Sequence, residues 1–378
     1  MPEKIIVAPD SFKGTMSSIE VCDIIESGIK NIYPSANVIK LPIADGGEGT
    51  VDAFLSYSGG RKLRVKVKDP LFREIDSYYG ILPDGTAVIE MAAASGLPLV
   101  EKEKNPCSTT TFGTGQLISD ALDKGCRRLI IGVGGSATND GGVGMAAALG
   151  VRFTGINGDE MPLTGAGLEK LEHIDVSGID RRIRDCEILV ACDVNNPLYG
   201  ENGAACIFAP QKGADPVMVE YLDRNLRHFS DIVFKQLGME LQGIPGAGAA
   251  GGLAAGLLAF AGARLVPGIE LIMDYVDFDS MLKNADMVIT GEGKIDGQSL
   301  AGKVPVGIAQ RAKKYGVPVI AVVGFIGEDI EALYQAGIQA VFSTARGPIP
   351  YELAVQHCRE DLLRTIEMLM RYTKSIQI

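Results

Sequence analysis

Strand–helix–strand alternation marks both ends of this chain and is missing from its middle, so whatever sheet the ends form must be assembled across a long insertion. Residues 4–8 (KIIVA) are a short apolar run suited to a buried strand. Ser17 and Glu20 form an S-x-x-E capping box, which opens a helix with the apolar stripe Val21, Ile25, Ile29 and Ile32. Pro34 ends that helix, and residues 38–41 give a second strand, a βαβ start with the right-handed crossover of a parallel sheet. The pattern stops near Ser58 and resumes near Met287. There, residues 287–290, 317–323 and 340–342 read as strands, separated by helices near 306–315, with Pro305 in its first turn, and 328–335, closed by Gly337. A last helix carries Val355, Cys358, Leu362, Ile366 and Leu369 at spacings of three and four. Two strands from the front and three from the back predict a five-stranded doubly wound sheet.

The middle reads differently. Alternating segments between residues 61 and 92 (KLRVKVKD, EIDSYYGIL, TAVIEMA) predict hairpin-connected strands, and glycine-rich loops and helices follow to about residue 285. The expectation is an α/β protein of two domains. Residues 1–60 and 286–378 form a discontinuous parallel-sheet domain, and 61–285 form an inserted α/β domain with a mixed sheet.

Composition removes several classes of function. No apolar run reaches the roughly 18 residues needed to span a bilayer, and the start, MPEKIIVAPD, lacks the regions of a signal peptide. With 47 acidic against 36 basic side chains, a net charge of −11, the chain is no duplex-tracking nucleic-acid binder. Seven scattered cysteines without a CxxC pair fit reduced thiols and a cytoplasmic setting, and three isolated histidines disfavour a zinc site or a histidine triad. The 47 glycines among 378 residues exceed the roughly 7% of an average chain. Close backbone approach is therefore expected in several places.

In an open parallel sheet, ligands gather beyond the carboxyl ends of the strands. The loops there combine acids with glycines or lysine: Asp10, Ser11 and Lys13 after the first strand, then Asp45, Gly46, Gly47 and Glu48 after the second, and Glu292, Lys294 and Asp296 after the third. Any one of these is an ordinary turn; three on one edge favour a site. In the insertion, residues 132–142 (GVGGSATNDGG) follow a strand and precede a helix, a ready anion cradle. Gly132, Gly134 and Ala137 also satisfy a G-x-G-x-x-A pattern, but no acid-tipped strand follows at the spacing a dinucleotide site requires. GAGAAG at 246–251 follows no strand and fits close packing or a ligand-facing helix start equally well. GQSLAGK at 297–303 lacks the hydroxyl residue of a Walker loop. Asp193 at a strand tip and Lys212 in the loop FAPQKGA complete the candidates.

Acids, lysines and anion-cradling loops without histidine fit metal-assisted phosphoryl transfer, which demands positioning and charge neutralisation. APDSFKG at 8–14, ADGGEGT at 44–50, EMAAASGL at 90–97, GVGGSATNDGG at 132–142, ACDVNNPL at 191–198, FAPQKGA at 208–214, PGAGAAGGL at 245–253 and TGEGKIDGQS at 290–299 resemble the signature segments of the bacterial type I glycerate kinases. They cover nearly the whole chain in the family's order. The resemblance implies ATP-dependent phosphorylation of D-glycerate with Mg2+, giving phosphoglycerate within glyoxylate or sugar-acid catabolism. It also implies a flavodoxin-like (Rossmann-like) domain built from both termini around the insertion, with the active site in the cleft between the two domains.

Carried over by motif, Asp193, Asp296, Lys13 and Lys294 are the expected catalytic residues. Asp10, Ser11, Gly46, Gly47, Gly134, Gly135, Ser136, Thr138, Asn139 and Lys212 are expected at substrate or phosphate, and Asp45, Glu48 and Glu292 at the metal. Asp193 is the first choice of base and Asp296 its rival. For each acid the competing role is bracing a loop through glycine N–H groups, above all for Asp45 and Asp140, each followed by two glycines. A non-catalytic sensor of nucleotide or sugar acid and a nicotinamide-dependent oxidoreductase are the rival classes. Partners are expected to be small molecules, with no nucleic acid and no membrane; a homo-oligomer is compatible with the sequence.

Overall fold

A computed structural model describes residues 2–44, 46–301 and 303–376. The chain divides into two compact units, one of residues 2–44, 52–58 and 267–376 and one of residues 46–51 and 59–266.

The first unit is built on a five-stranded, all-parallel sheet. Across it the strands run Asn37–Lys40, Lys4–Val7, Met287–Thr290, Val319–Val323 and Ile338–Ser343. In chain sequence this is the flavodoxin-like order 2-1-3-4-5, which reverses direction between the first and third strands. Ile5 pairs with Met287 and Val7 with Ile289, so the two ends of the chain share one register. Beneath the sheet, helix Ser18–Ile32 packs on the last helix, Tyr351–Ile376, burying Val21, Ile25 and Ile29 against Leu362, Ile366 and Met370. Burial of each such side chain contributes roughly 1.5–3 kcal/mol. Gly28 permits the approach, since a Cβ there would lie 2.7 Å from Ile366 Cγ2. Ser17 caps the first helix by accepting the Glu20 N–H at 3.2 Å. Only half of the capping box forms, because the Glu20 carboxylate turns to Arg359 Nε at 2.6 Å.

The chain returns to this unit at Pro267, ahead of the expected boundary near 286. The returning segment buries Ile269, Ile272, Phe278 and Leu282, and ion pairs add to that packing. Arg311, mostly enclosed, holds Glu270, Asp274 and Asp279 at 2.8, 2.7 and 2.7 Å, tying helices Gly268–Tyr275 and Phe278–Leu282 to helix Val304–Lys313. Tyr275 also meets Phe54 edge-on at 5.4 Å.

The second unit carries a six-stranded mixed sheet in the order Arg264–Val266, Glu187–Ala191, Arg128–Gly132, Ala87–Glu90, Glu74–Ile81, Arg61–Lys68. The first four are parallel, and the hairpin-connected pair at the far edge is antiparallel. Its core gathers Ile89, Leu129, Ile131 and Val190 from the sheet with Leu117, Phe229 and Leu253 from helices. Among the described residues, no helix is long and apolar enough to cross a membrane.

Candidate active site

The reversal of strand order in the first unit places two loops side by side at the carboxyl edge of the sheet. Asp10 N–H donates to the Gly291 carbonyl at 2.8 Å, so the segment after the first strand is bonded to the segment after the third. Asp10 is buried, and its Oδ1 accepts the Ser11 N–H at 2.6 Å. Lys13 is exposed on the same loop.

Glu292, only 6% exposed, is the most enclosed acid of the neighbouring loop. Burial pushes its carboxyl above the usual range, while Lys303 and the Ser299 hydroxyl hold it back. Ser299 Oγ donates to Oε1 at 2.8 Å, and Lys303 Nζ lies 3.4 Å from Oε2. Lys303, at the start of helix Val304–Lys313, is therefore a partner of the buried acid rather than an idle surface charge. Lys294 pairs with Asp296 at 2.9 Å, and Asp296 N–H donates to Ser299 Oγ at 3.3 Å. Ser299 thus links the two acids.

In the second unit the structure separates glycines that pack from glycines that remain at the surface. Gly134 N–H donates to Gly46 O at 3.1 Å. A Cβ on Gly132 would lie 2.2 Å from Gly46 O, and one on Gly134 would lie 2.7 Å from Gly47 Cα. Gly46 and Gly47 therefore fill the space that a pyrophosphate would need at a dinucleotide fingerprint. This contact, with Val51 N–H donating to Glu90 Oε1 at 2.7 Å, draws residues 46–51 out of the first unit. Glu48 is exposed on that segment, and Asp45 lies outside the described residues. Likewise, GAGAAG packs closely: a Cβ on Gly251 would lie 2.0 Å from Thr138 O.

The loop after strand Arg128–Gly132 has a surface half and a buried half. Gly135 is exposed, with φ +72°, and Ser136 lies just beneath it. Thr138, Asn139 and Asp140 are fully buried, and Lys212 is 1% exposed. In this conformation Thr138, Asn139 and Lys212, expected at substrate or phosphate, are enclosed by protein. Lys212 Nζ donates to Thr138 O at 2.7 Å, and burial lowers its pKa to about 7 against the pull of Asp140. Asp140 braces the loop: it accepts Thr111 N–H and Oγ1–H, both at 2.8 Å, with Gly142 N–H at 3.1 Å and Gly144 N–H at 3.2 Å. Burial raises its pKa against those four bonds. Asp193 stands half-buried just past strand Glu187–Ala191, where Cys192 N–H still bonds to Val266 O at 3.0 Å.

Glu90 escaped the sequence reading. It ends strand Ala87–Glu90, is buried, and accepts from Val51 N–H and from the Tyr78 hydroxyl at 3.2 Å. The strand-tip argument that singled out Asp193 applied equally to it.

The motifs now stand on two scaffolds, and comparison with known proteins agrees with them. The family model described as "Glycerate kinase family" matches residues 5–374. The chain belongs to the glycerate kinase family. A glycerate kinase from Bacillus subtilis (strain 168) is 51% identical over 364 residues, covering 96% of this chain and 95% of that one. A glycerate 2-kinase from Escherichia coli (strain K12) is 49% identical and covers 90% of each. A candidate glycerate kinase 2 from Salmonella typhimurium LT2, solved by crystallography, superposes with TM-score 0.89 at 44% identity, covering 100% of both chains. The chain is thus a kinase, and the family implies ATP as its phosphoryl donor.

Such kinases imply a divalent ion. Among the described residues no group of three or more His, Cys, Asp or Glu could hold one by protein ligands alone. Magnesium usually takes one or two carboxylates together with substrate phosphates, and the hard oxygen donors of Glu292 suit that mode.

Proposed function

We propose that the chain transfers the γ-phosphoryl group of ATP to the 2-hydroxyl of D-glycerate, releasing ADP and 2-phosphoglycerate. The observation that carries this reading is the family match over residues 5–374, with a glycerate 2-kinase among the near full-length relatives. Asp193 takes the hydroxyl proton as the oxygen attacks phosphorus, and Asp296 is the rival base. Lys13 and Lys294 offset phosphate charge, while Asp10 and Ser11 contact substrate or phosphate. The exposed Gly135 with Gly134 and Ser136 receives the glycerate carboxylate or a phosphate. Asp45, Glu48 and Glu292 are the acids assigned to magnesium, which supplies charge neutralisation on the phosphates when bound. The reaction belongs to cytoplasmic breakdown of glyoxylate or sugar acids.

The test is release of ADP from ATP, magnesium and D-glycerate, with phosphorus NMR of the product. A 3-phosphate product would overturn the regiochemistry, and turnover in excess EDTA would overturn the metal. Asp193→Asn keeps the shape and removes the proton acceptor, so kcat is expected to fall about 10²–10⁴-fold while substrate still binds. Near-normal turnover in that variant, with loss in Asp296→Asn, would move the base to the other loop.

A further inference from the structure

The buried half of the loop after strand Arg128–Gly132 is poorly satisfied for its position. Both polar side-chain atoms of Asn139 are enclosed without a hydrogen-bond partner, although the residue is 0% exposed. Unpaired buried polar groups favour conformations that reach water. The loop nonetheless turns Thr138 and Asn139 inward and leaves Gly134–Ser136 outermost. Something must hold it there.

Three ties do so. Thr109 Oγ1 donates to Ala137 O at 2.9 Å, Asp140 gathers Thr111 and the following glycine N–H groups, and Lys212 Nζ donates to Thr138 O. Lys212 differs from the others. It is an amine whose N–H donates in either protonation state, arrives from a separate segment (the short turn Pro210–Lys212), and meets the carbonyl immediately before the unsatisfied Asn139. A fully enclosed lysine with a carbonyl as its hydrogen-bond acceptor is unusual, since burial disfavours its charge.

We propose that Lys212 is a positioning residue, a strut beneath the loop that fixes Thr138 and thereby presents Gly134–Ser136 to the substrate anion. This rests on the assignment of that loop to glycerate or phosphate given above. The strut touches no substrate itself, so its removal should weaken binding more than chemistry.

The experiment compares full-length wild type, Lys212→Met, which keeps length and loses the donor, and Lys212→Arg, which restores an N–H donor. Lys212→Met is expected to fold, to lose hydrogen-exchange protection at residues 134–139 by tenfold or more, and to raise KM for D-glycerate or ATP about tenfold. Its kcat should change less than KM, and Lys212→Arg should recover part of the loss. Unchanged protection at 134–139 overturns the proposal whatever the activity does. A loss confined to kcat overturns it as well, because it would mean that Lys212 acts on the reacting atoms. If exchange responds as expected but neither KM moves, the strut exists and the assignment of the loop to substrate is what fails, sinking the proposal by that route. Should Lys212→Met not fold, Lys212→Gln is read by the same exchange measurement.

Discussion

Gly132→Ala is the sharpest test of how the second unit holds the segment that carries Glu48. The backbone at Gly132 tolerates a side chain, so the whole effect is steric. The new Cβ would sit 2.2 Å from Gly46 O and 2.9 Å from Gly46 C. A comfortable C···O separation is about 3.3 Å, so the clash amounts to roughly 1 Å. The strand cannot retreat, because Gly132 pairs with Glu90 on one side and Ala191 on the other, and its carbonyl accepts Met91 N–H at 3.0 Å. Gly46 must move instead, straining or breaking its bond to Gly134 N–H. Overpacking of this kind costs about 1–3 kcal/mol and the lost bond about 1, giving about 2–4 kcal/mol in all. Since Glu48 lies on the same segment as Gly46, a displacement of about 1 Å is also expected to lower kcat/KM about 10²-fold. Urea unfolding and steady-state kinetics read the two effects, with Gly243→Ala as control because its Cβ would meet nothing within 4 Å. If Gly132→Ala proves as harmless as the control in both assays, the packing argument is wrong.

Three further outcomes follow from the charges. Lys303→Met removes the cation that holds the Glu292 carboxyl down, so its pKa should rise further and the acid limb of the pH–rate profile should move to higher pH; an unmoved limb would show that Glu292 ionisation does not matter to turnover. Glu292→Gln should weaken the apparent affinity for magnesium, with raised magnesium recovering part of the rate; a loss insensitive to magnesium would remove Glu292 from the metal. Between the lowered Lys212 value of about 7 and the ordinary 10.5, the unfolded chain binds a proton that the folded chain has released, so this group's contribution to stability rises with pH across that window. Wild type should therefore gain stability relative to Lys212→Met between pH 7 and 9, with Asp140, the charged group acting on Lys212, kept in both; a pH-independent difference in urea midpoint would contradict the shift.

Local patterns were enough to reveal the sheet of the first unit, because each of its strands is a short apolar run bounded by its own helix cap or proline. The parallel pairing of residues 4–7 with 287–290 follows once both ends alternate and the middle does not. The acids at strand tips, Asp10, Asp193 and Glu292, were legible for the same reason: the end of a strand is a local property. Glycine roles were not. Gly132 and Gly134 read in sequence as part of one loop and Gly46 and Gly47 as part of another, and that they meet one another is a contact made between segments more than 80 residues apart. Nor could the sequence place Lys212, whose neighbours in the chain suggest an exposed loop. Its burial is decided by Thr138, 74 residues away, and by packing that encloses both. Pairing partners and solvent access are set by the assembled fold, whereas periodicity, caps and turn residues act within a few positions. The sequence by itself determined which elements form and which acids tip the strands. The tertiary structure alone decided which glycines pack and which lysine is a strut, because both depend on the atoms that distant segments bring within about 3 Å.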